Sequence, residues 1–164
     1  MELVSQGITI DLPFGWEGRI TKRLESAALP RASGTEPIGV LERTYSITHL
    51  GNFPLPNERG DFGSGAVDLM AADHLFVSFF EFGPESVGQP LFQREGMPKR
   101  LRASQFNPNG LQHAIAGQSG HQVFFTEQGR AFSLYVVLGN HGNAAALVPQ
   151  ANEVLAATRI GGRP

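Results

Sequence analysis

The chain has 164 residues, 41% of them hydrophobic and 12 of them phenylalanine, which suffices for one globular domain with a buried core. Thirteen Lys and Arg face fifteen Asp and Glu, a formal charge of −2 that excludes a broad basic surface for nucleic acid or anionic lipid. The sequence contains no cysteine, so disulfides, thiol nucleophiles and cysteine-based zinc or iron–sulfur sites are excluded.

Met1 to Asp11 has no basic start and no long apolar run, so no signal peptide is expected, and a cytoplasmic location follows. No run of about 18 apolar residues occurs, so no membrane span is expected. Ile8, Ile10 and Leu12 alternate with Thr9 and Asp11, the period of a half-buried strand. Pro13-Phe14-Gly15 punctuates it, and Trp16, Gly18 and Ile20 then share one face of a second extended segment. The two segments are expected to form a hairpin.

Leu24 to Pro37 is weakly patterned and reads as a loop, whereas Ile38 to Leu50 carries Val40, Tyr45 and Ile47 and predicts a strand. Gly51 to Gly65 is rich in Gly, Pro and Asn and reads as a long irregular excursion. Ala66–Met70 and Leu75–Phe82 are expected as neighbouring strands across Ala71-Ala72-Asp73-His74. Leu75-Phe76-Val77-Ser78-Phe79-Phe80-Glu81-Phe82 is almost continuously apolar, as suits a central strand covered on both faces.

Gly83 to Arg102 reads as loop, and its basic Pro98-Lys99-Arg100-Leu101-Arg102 as a solvated turn. Asn107-Pro108 offers a cap and first-turn proline for a short helix reaching His113 or Ile115. His121–Thr126 and Ala131–Leu138 form the clearest hairpin, across Glu127-Gln128-Gly129-Arg130. The helical spacing of Leu147, Val148, Ala151, Val154 and Leu155 predicts a terminal helix from near Leu147 to near Arg159. The expected architecture is a single α+β domain over 1–164: a central twisted antiparallel sheet flanked by helices, with a C-terminal helix.

Three stretches resemble the Mog1/PsbP-like family, which includes small actinobacterial proteins. They are Gly7-Ile8-Thr9-Ile10-Asp11-Leu12-Pro13-Phe14-Gly15-Trp16, the hairpin end Leu134-Tyr135-Val136-Val137, and Asn152-Glu153-Val154-Leu155-Ala156-Ala157-Thr158-Arg159-Ile160. The resemblance implies an α/β/α sandwich. It also implies a binding or assembly factor rather than an enzyme, and brings no catalytic residues to carry over.

Chemistry-bearing motifs are sparse. Gly60-Asp61-Phe62-Gly63-Ser64-Gly65 could present backbone N–H groups to an anion, but it lacks the lysine and the strand–loop–helix context of a P-loop. It reads as a loop entering a strand. His49, His74, His113, His121 and His141 show no i, i+4 pair, so neither a metal site nor a cofactor is expected. Gly117-Gln118-Ser119-Gly120 lacks nucleophile-elbow spacing. Glu81 and Glu85 are the best-placed pair of carboxylates, with loop solvation the expected reading.

The leading functional expectation is therefore a non-catalytic module that binds a protein partner or assembles as a homo-oligomer. Its contact residues would be Phe53, Leu55, Arg59, Asp61 and Phe62, aromatics and an arginine on an exposed loop. The alternative is a small-molecule-binding protein or hydrolase using a cleft between sheet and loops, with His113, His121 and Glu127 as its polar groups.

Overall fold

The computed structural model describes residues 1–30 and 37–164, with side chains for 1–24 and 43–164. Among the described residues eight strands form two antiparallel sheets, and one α-helix, α1 (Ala144–Ala156), lies near the C-terminus. β1 (Glu2–Ser5), β2 (Ile8–Asp11) and β8 (Thr158–Ile160) make a small sheet in the order β1-β2-β8. β3 (Glu17–Pro30), β4 (Pro37–Gly51), β5 (Leu75–Glu81), β6 (Ser119–Glu127) and β7 (Arg130–Leu138) make the main sheet in the order β3-β4-β5-β7-β6.

The two apolar ribbons lie side by side at the centre of that sheet, with Leu75 opposite Leu138 and Glu81 opposite Phe132. Alternation sends Leu75, Val77, Phe79, Phe132, Leu134, Val136 and Leu138 to one face. There they pack with α1 and with Ile8, Ile10 and Ile160 of the small sheet. Phe76, Tyr135 and Val137 point to the opposite face and meet Phe53, Leu55, Ala66 and Val67. Both central strands are buried on both faces, as their unbroken apolar runs require.

The covers are unequal. Among the described residues α1 is the only α-helix, so helices flank the sheet on one side alone. Irregular chain covers the other face, 52–74 together with Leu111 and Ile115, while Met97, Leu101 and Phe106 of 83–110 pack on the α1 face. Glycine, proline and asparagine in these stretches permit single 3₁₀ turns but no longer helix. Asn107 caps as expected, its Oδ1 accepting from the Asn109 N–H, yet only the turn Pro108–Gly110 follows. Ala66–Met70 holds the 3₁₀ turn Val67–Leu69 in place of the expected strand, so β5 has no hairpin partner there.

Several boundaries differ from expectation for local reasons. β2 does not pair with β3; its hairpin partner is β1, across Gln6-Gly7, whose φ values of 54° and 73° make the primed turn that matches strand twist. The same Gln-Gly device, Gln128-Gly129 with φ of 51° and 71°, closes β6 onto β7 as expected. Pro13-Phe14-Gly15 hands the chain from the small sheet to the main one. The expected Leu24–Pro37 loop is strand through Pro30 and again from Pro37, with Leu29 opposite Gly39; residues 31–36 lie outside the described residues.

The terminal helix begins three residues early and keeps Pro149 inside. It also stops early, because Thr158 Oγ1 donates to the Val154 carbonyl at 2.8 Å and the chain turns to pair with β2. β-branched Thr158 and Ile160 suit that strand, with Arg159 outward between them. Lys99 Nζ donates to the carbonyls of Leu155 in the last turn of α1 and of Thr158 at the start of β8. No helix is long and apolar enough to cross a membrane among the described residues.

Candidate functional site

The loop-covered face of the main sheet carries a cleft of about 370 Å³, within the size range of small-molecule sites. Tyr135 and Val137 of β7 are its floor. One wall is the Gly60–Asp68 loop, contributing Asp61, Phe62, Ser64, Val67 and Asp68; the other is Leu111, Gln112, His113 and Gln118.

Glycines let the first wall sit this close to the sheet. Gly63 has φ 88°, and a Cβ there would lie 2.4 Å from Phe76 Cε1, so only glycine fits over that ring. Gly65 has φ 90°, and its N–H donates to Asp68 Oδ2 at 2.9 Å. Phe62 stacks on Phe80 at 5.3 Å and meets Tyr135 edge-on at 6.0 Å, which holds the loop to the sheet by ring contacts.

Polar groups tie the walls together. Gln118 Nε2 donates to the Val67 carbonyl at 2.7 Å across the cleft, while Gln118 Oε1 is buried without a hydrogen-bond partner. Tyr135 Oη accepts from the Gln112 N–H at 2.8 Å, so its own proton remains to be donated. Burial pushes the Tyr135 hydroxyl above its ordinary value, against the Gln112 hydrogen bond, and keeps it protonated.

Beside the cleft, Asp61 joins it to a second, shallower pocket of about 170 Å³ lined by Arg19, Thr21, Ile47, His49, Asn57 and Arg59. His49 is buried and bonded through both ring nitrogens. Arg59 Nε donates to His49 Nδ1 at 2.7 Å, and His49 Nε2 lies 2.8 Å from the Asp61 carbonyl. Because Nδ1 must accept, Nε2 carries the proton and the ring is neutral. Burial is the main cause holding the His49 pKa below its ordinary value, and the Arg59 charge adds to it. Ser78 Oγ donates to the same Asp61 carbonyl at 2.9 Å.

Of the expected contact residues, Arg59, Asp61 and Phe62 come together at the cleft and its neighbouring pocket. Phe53 and Leu55 do not belong on an exposed loop: at 4% and 7% exposure they are core under it, packed near Phe76. An irregular segment must still bury apolar anchors to stay on the sheet, which composition alone did not reveal.

The alternative set is scattered. His113 lines the cleft, whereas His121 lines a separate groove of about 510 Å³ along β6 and packs near Phe106. Glu127 Oε2 accepts from the Met97 N–H at 2.8 Å, a structural bond at the β6–β7 turn. No group of three His, Asp or Glu placed to hold a metal exists among the described residues. Glu81 and Glu85 do not pair as carboxylates, and Glu81 is not solvated: it is buried against Arg130, while exposed Glu85 meets Arg43 at 3.5 Å.

Sequence reasoning missed Tyr135, Gln118, Asp68, Leu111 and His49. Tyr135 was findable, since alternation along β7 puts a hydroxyl-bearing ring on the face opposite Leu134 and Val136. Gln118 and Leu111 reach the cleft only through loop packing, for which the local pattern carries no signal. Comparison with protein-family models, curated proteins and solved structures found no match.

Proposed function

We propose that this chain is a small-molecule-binding module whose site is the cleft over Tyr135 and Val137. The observation that carries the reading is Gln118 Oε1, a buried acceptor in the cleft lining with no partner. Leaving such an atom unpaired costs on the order of 1–3 kcal/mol, which a ligand donor group offsets. Asp61 and Asp68 are further acceptors, and among the described residues neither lysine nor arginine lines the cleft. Phe62, Val67, Leu111 and Val137 supply apolar walls. The favoured ligand has a small apolar body and a donor-rich or cationic head, such as an amine or an amidine.

The test is a ligand-observed and protein-observed NMR screen of small amines, amides and carboxylic acids. Amine-bearing binders should shift the resonances of Leu111, Gln118 and Tyr135, and Leu111→Trp should weaken them at least tenfold by filling the cleft. Binding confined to other surfaces, or indifferent to that substitution, would overturn the reading.

A second reading, a protein partner or self-association, is supported by the outer edge of β6. Gly120 pairs outward with Asn107, and Thr126 pairs outward with Arg94 and Gly96, but the outward backbone groups of Gln122 and Phe124 between them have no partner among the described residues. An extended segment of another chain could add there, as partners do at open sheet edges. The Mog1/PsbP-like assignment rests on its three sequence stretches. In that assignment, the loop-covered face stands where a second helical layer would lie. Light scattering of the native protein, with Arg59→Ala, Phe62→Ala and Phe124→Pro variants, tests assembly. A monomer at all concentrations, capturing no extended peptide, would remove this reading.

A further inference from the structure

The pocket next to the cleft contains two arginines and an unusual way of holding one of them. Arg59 is fixed by Nε to His49 Nδ1 at 2.7 Å and by Nη1 to the Pro56 carbonyl at 2.6 Å. Both acceptors are uncharged. The guanidinium is therefore oriented without being neutralised, unlike Arg130, whose fork closes on a carboxylate. Arg19 of β3 lines the same pocket, and among the described residues neither Arg19 nor Arg59 has a carboxylate within 4 Å. Asp61 also lines this pocket, so even with its side chain counted two positive charges stand against one negative.

The cost of that arrangement is visible in Arg59. Burial, and then repulsion from Arg19, lower its affinity for its proton. His49 is in turn locked by the Asp61 carbonyl, so the chain Asp61–His49–Arg59 sets the direction of the guanidinium before anything binds. Asn57 adds an amide to the lining. Planar guanidinium forks preorganised in this way match the geometry of a phosphate, sulfate or carboxylate group.

We propose that the pocket between Arg19 and Arg59 is a binding site for a small oxyanion or for the oxyanion group of a larger ligand. It is separate from the donor-seeking cleft, sharing only Asp61 with it, so either site can fail without the other.

Inorganic phosphate is the probe, titrated into the intact chain while the Arg59 Nε–H, His49 ring and Asn57 amide resonances are followed by NMR. Saturable shifts at these groups in the millimolar range or below are expected. Arg19→Gln and Arg59→Gln should each raise the dissociation constant about tenfold, as the loss of one charge-assisted contact implies. Arg19 is exposed on β3, so its variant leaves the packing intact if Arg59→Gln perturbs the loop. His49→Gln should weaken binding through misorientation of Arg59, and Arg163→Gln, at a different pocket, should not. Linear, non-saturating shifts, or a constant unchanged by Arg19→Gln, would overturn the assignment.

Discussion

Arg130 and Glu81 form a buried, two-pronged ion pair: Nε to Oε2 at 3.0 Å and Nη2 to Oε1 at 2.9 Å, each side chain 2% exposed. Ser46 donates to Oε1 through both its N–H and its hydroxyl, and Arg163 reaches Oε2 at 3.1 Å. Arg130 Nη1 donates to the Gly161 carbonyl, so the pair also holds the segment after β8. Glu81→Leu should cost roughly 3–5 kcal/mol in denaturant unfolding, because it strands a buried guanidinium. Glu81→Leu combined with Arg130→Met should recover much of that loss, since the pair itself is worth little against apolar packing. Arg163→Gln, at a half-exposed partner, should cost under about 1 kcal/mol.

Glu81 also sets an acid limit. Burial alone would raise its pKa, but hydrogen bonds from Arg130 and Ser46 and the Arg130 charge outweigh burial and hold it below the ordinary carboxylate value. A carboxyl depressed in the fold stabilises fully above its unfolded pKa, and that stability is lost as pH falls through the folded value. Stability measured by urea unfolding should therefore drop as the solution is taken below about pH 4.5, the ordinary value. The drop should be smaller in Glu81→Gln. An equal acid dependence in both proteins would remove Glu81 from the account.

Much of this framework is legible from residues whose neighbours in sequence decide their structure. Continuous apolar runs marked β5 and β7, and a Gln-Gly turn closed β6 onto β7. The same Gln-Gly signal at Gln6-Gly7 escaped notice because Leu3 and Val4 make only a faint strand pattern. Arg130 and Glu81 lie 49 positions apart, and no local pattern shows that a strand-end glutamate will be sealed by an arginine at a turn. The cleft is harder still, since Gln118 and Val67 meet only when two irregular segments fold onto one sheet face. Loop composition pointed to Arg59, Asp61 and Phe62, and missed that Phe53 and Leu55 are what fasten that loop down.

Gly63 allows a direct test of how that loop is fastened. Gly63→Ala combines a positive φ with a Cβ 2.4 Å from Phe76 Cε1, a ring that is fully buried and cannot retreat. Gly88→Ala has the same φ of 88° but nothing within 4 Å. The second substitution should cost about 1 kcal/mol from backbone strain alone, and the first clearly more, since it adds overpacking of about 1–3 kcal/mol. Comparable thermal midpoints for the two variants would mean that the loop does not press on Phe76.

His49 links the loop to pH. Its folded pKa is lowered, chiefly by burial, because the ring must stay neutral to accept from Arg59 and donate to the Asp61 carbonyl. The unfolded chain takes up a proton near its ordinary value of 6.5 while the folded chain resists. The unfolded state thus binds more protons in that window, and stability falls as pH drops from 6.5 toward the folded value. His121, also lowered by burial, contributes in the same window, so the difference between wild type and His49→Gln isolates His49. Ring-carbon NMR should show His49 titrating below its ordinary value of 6.5. Its eventual protonation should coincide with loss of the Arg59 Nε–H signal, because a protonated Nδ1 can no longer accept. If the ring titrated at its ordinary value with Arg59 unaffected, the tautomer assignment and the preorganisation of Arg59 would both fall.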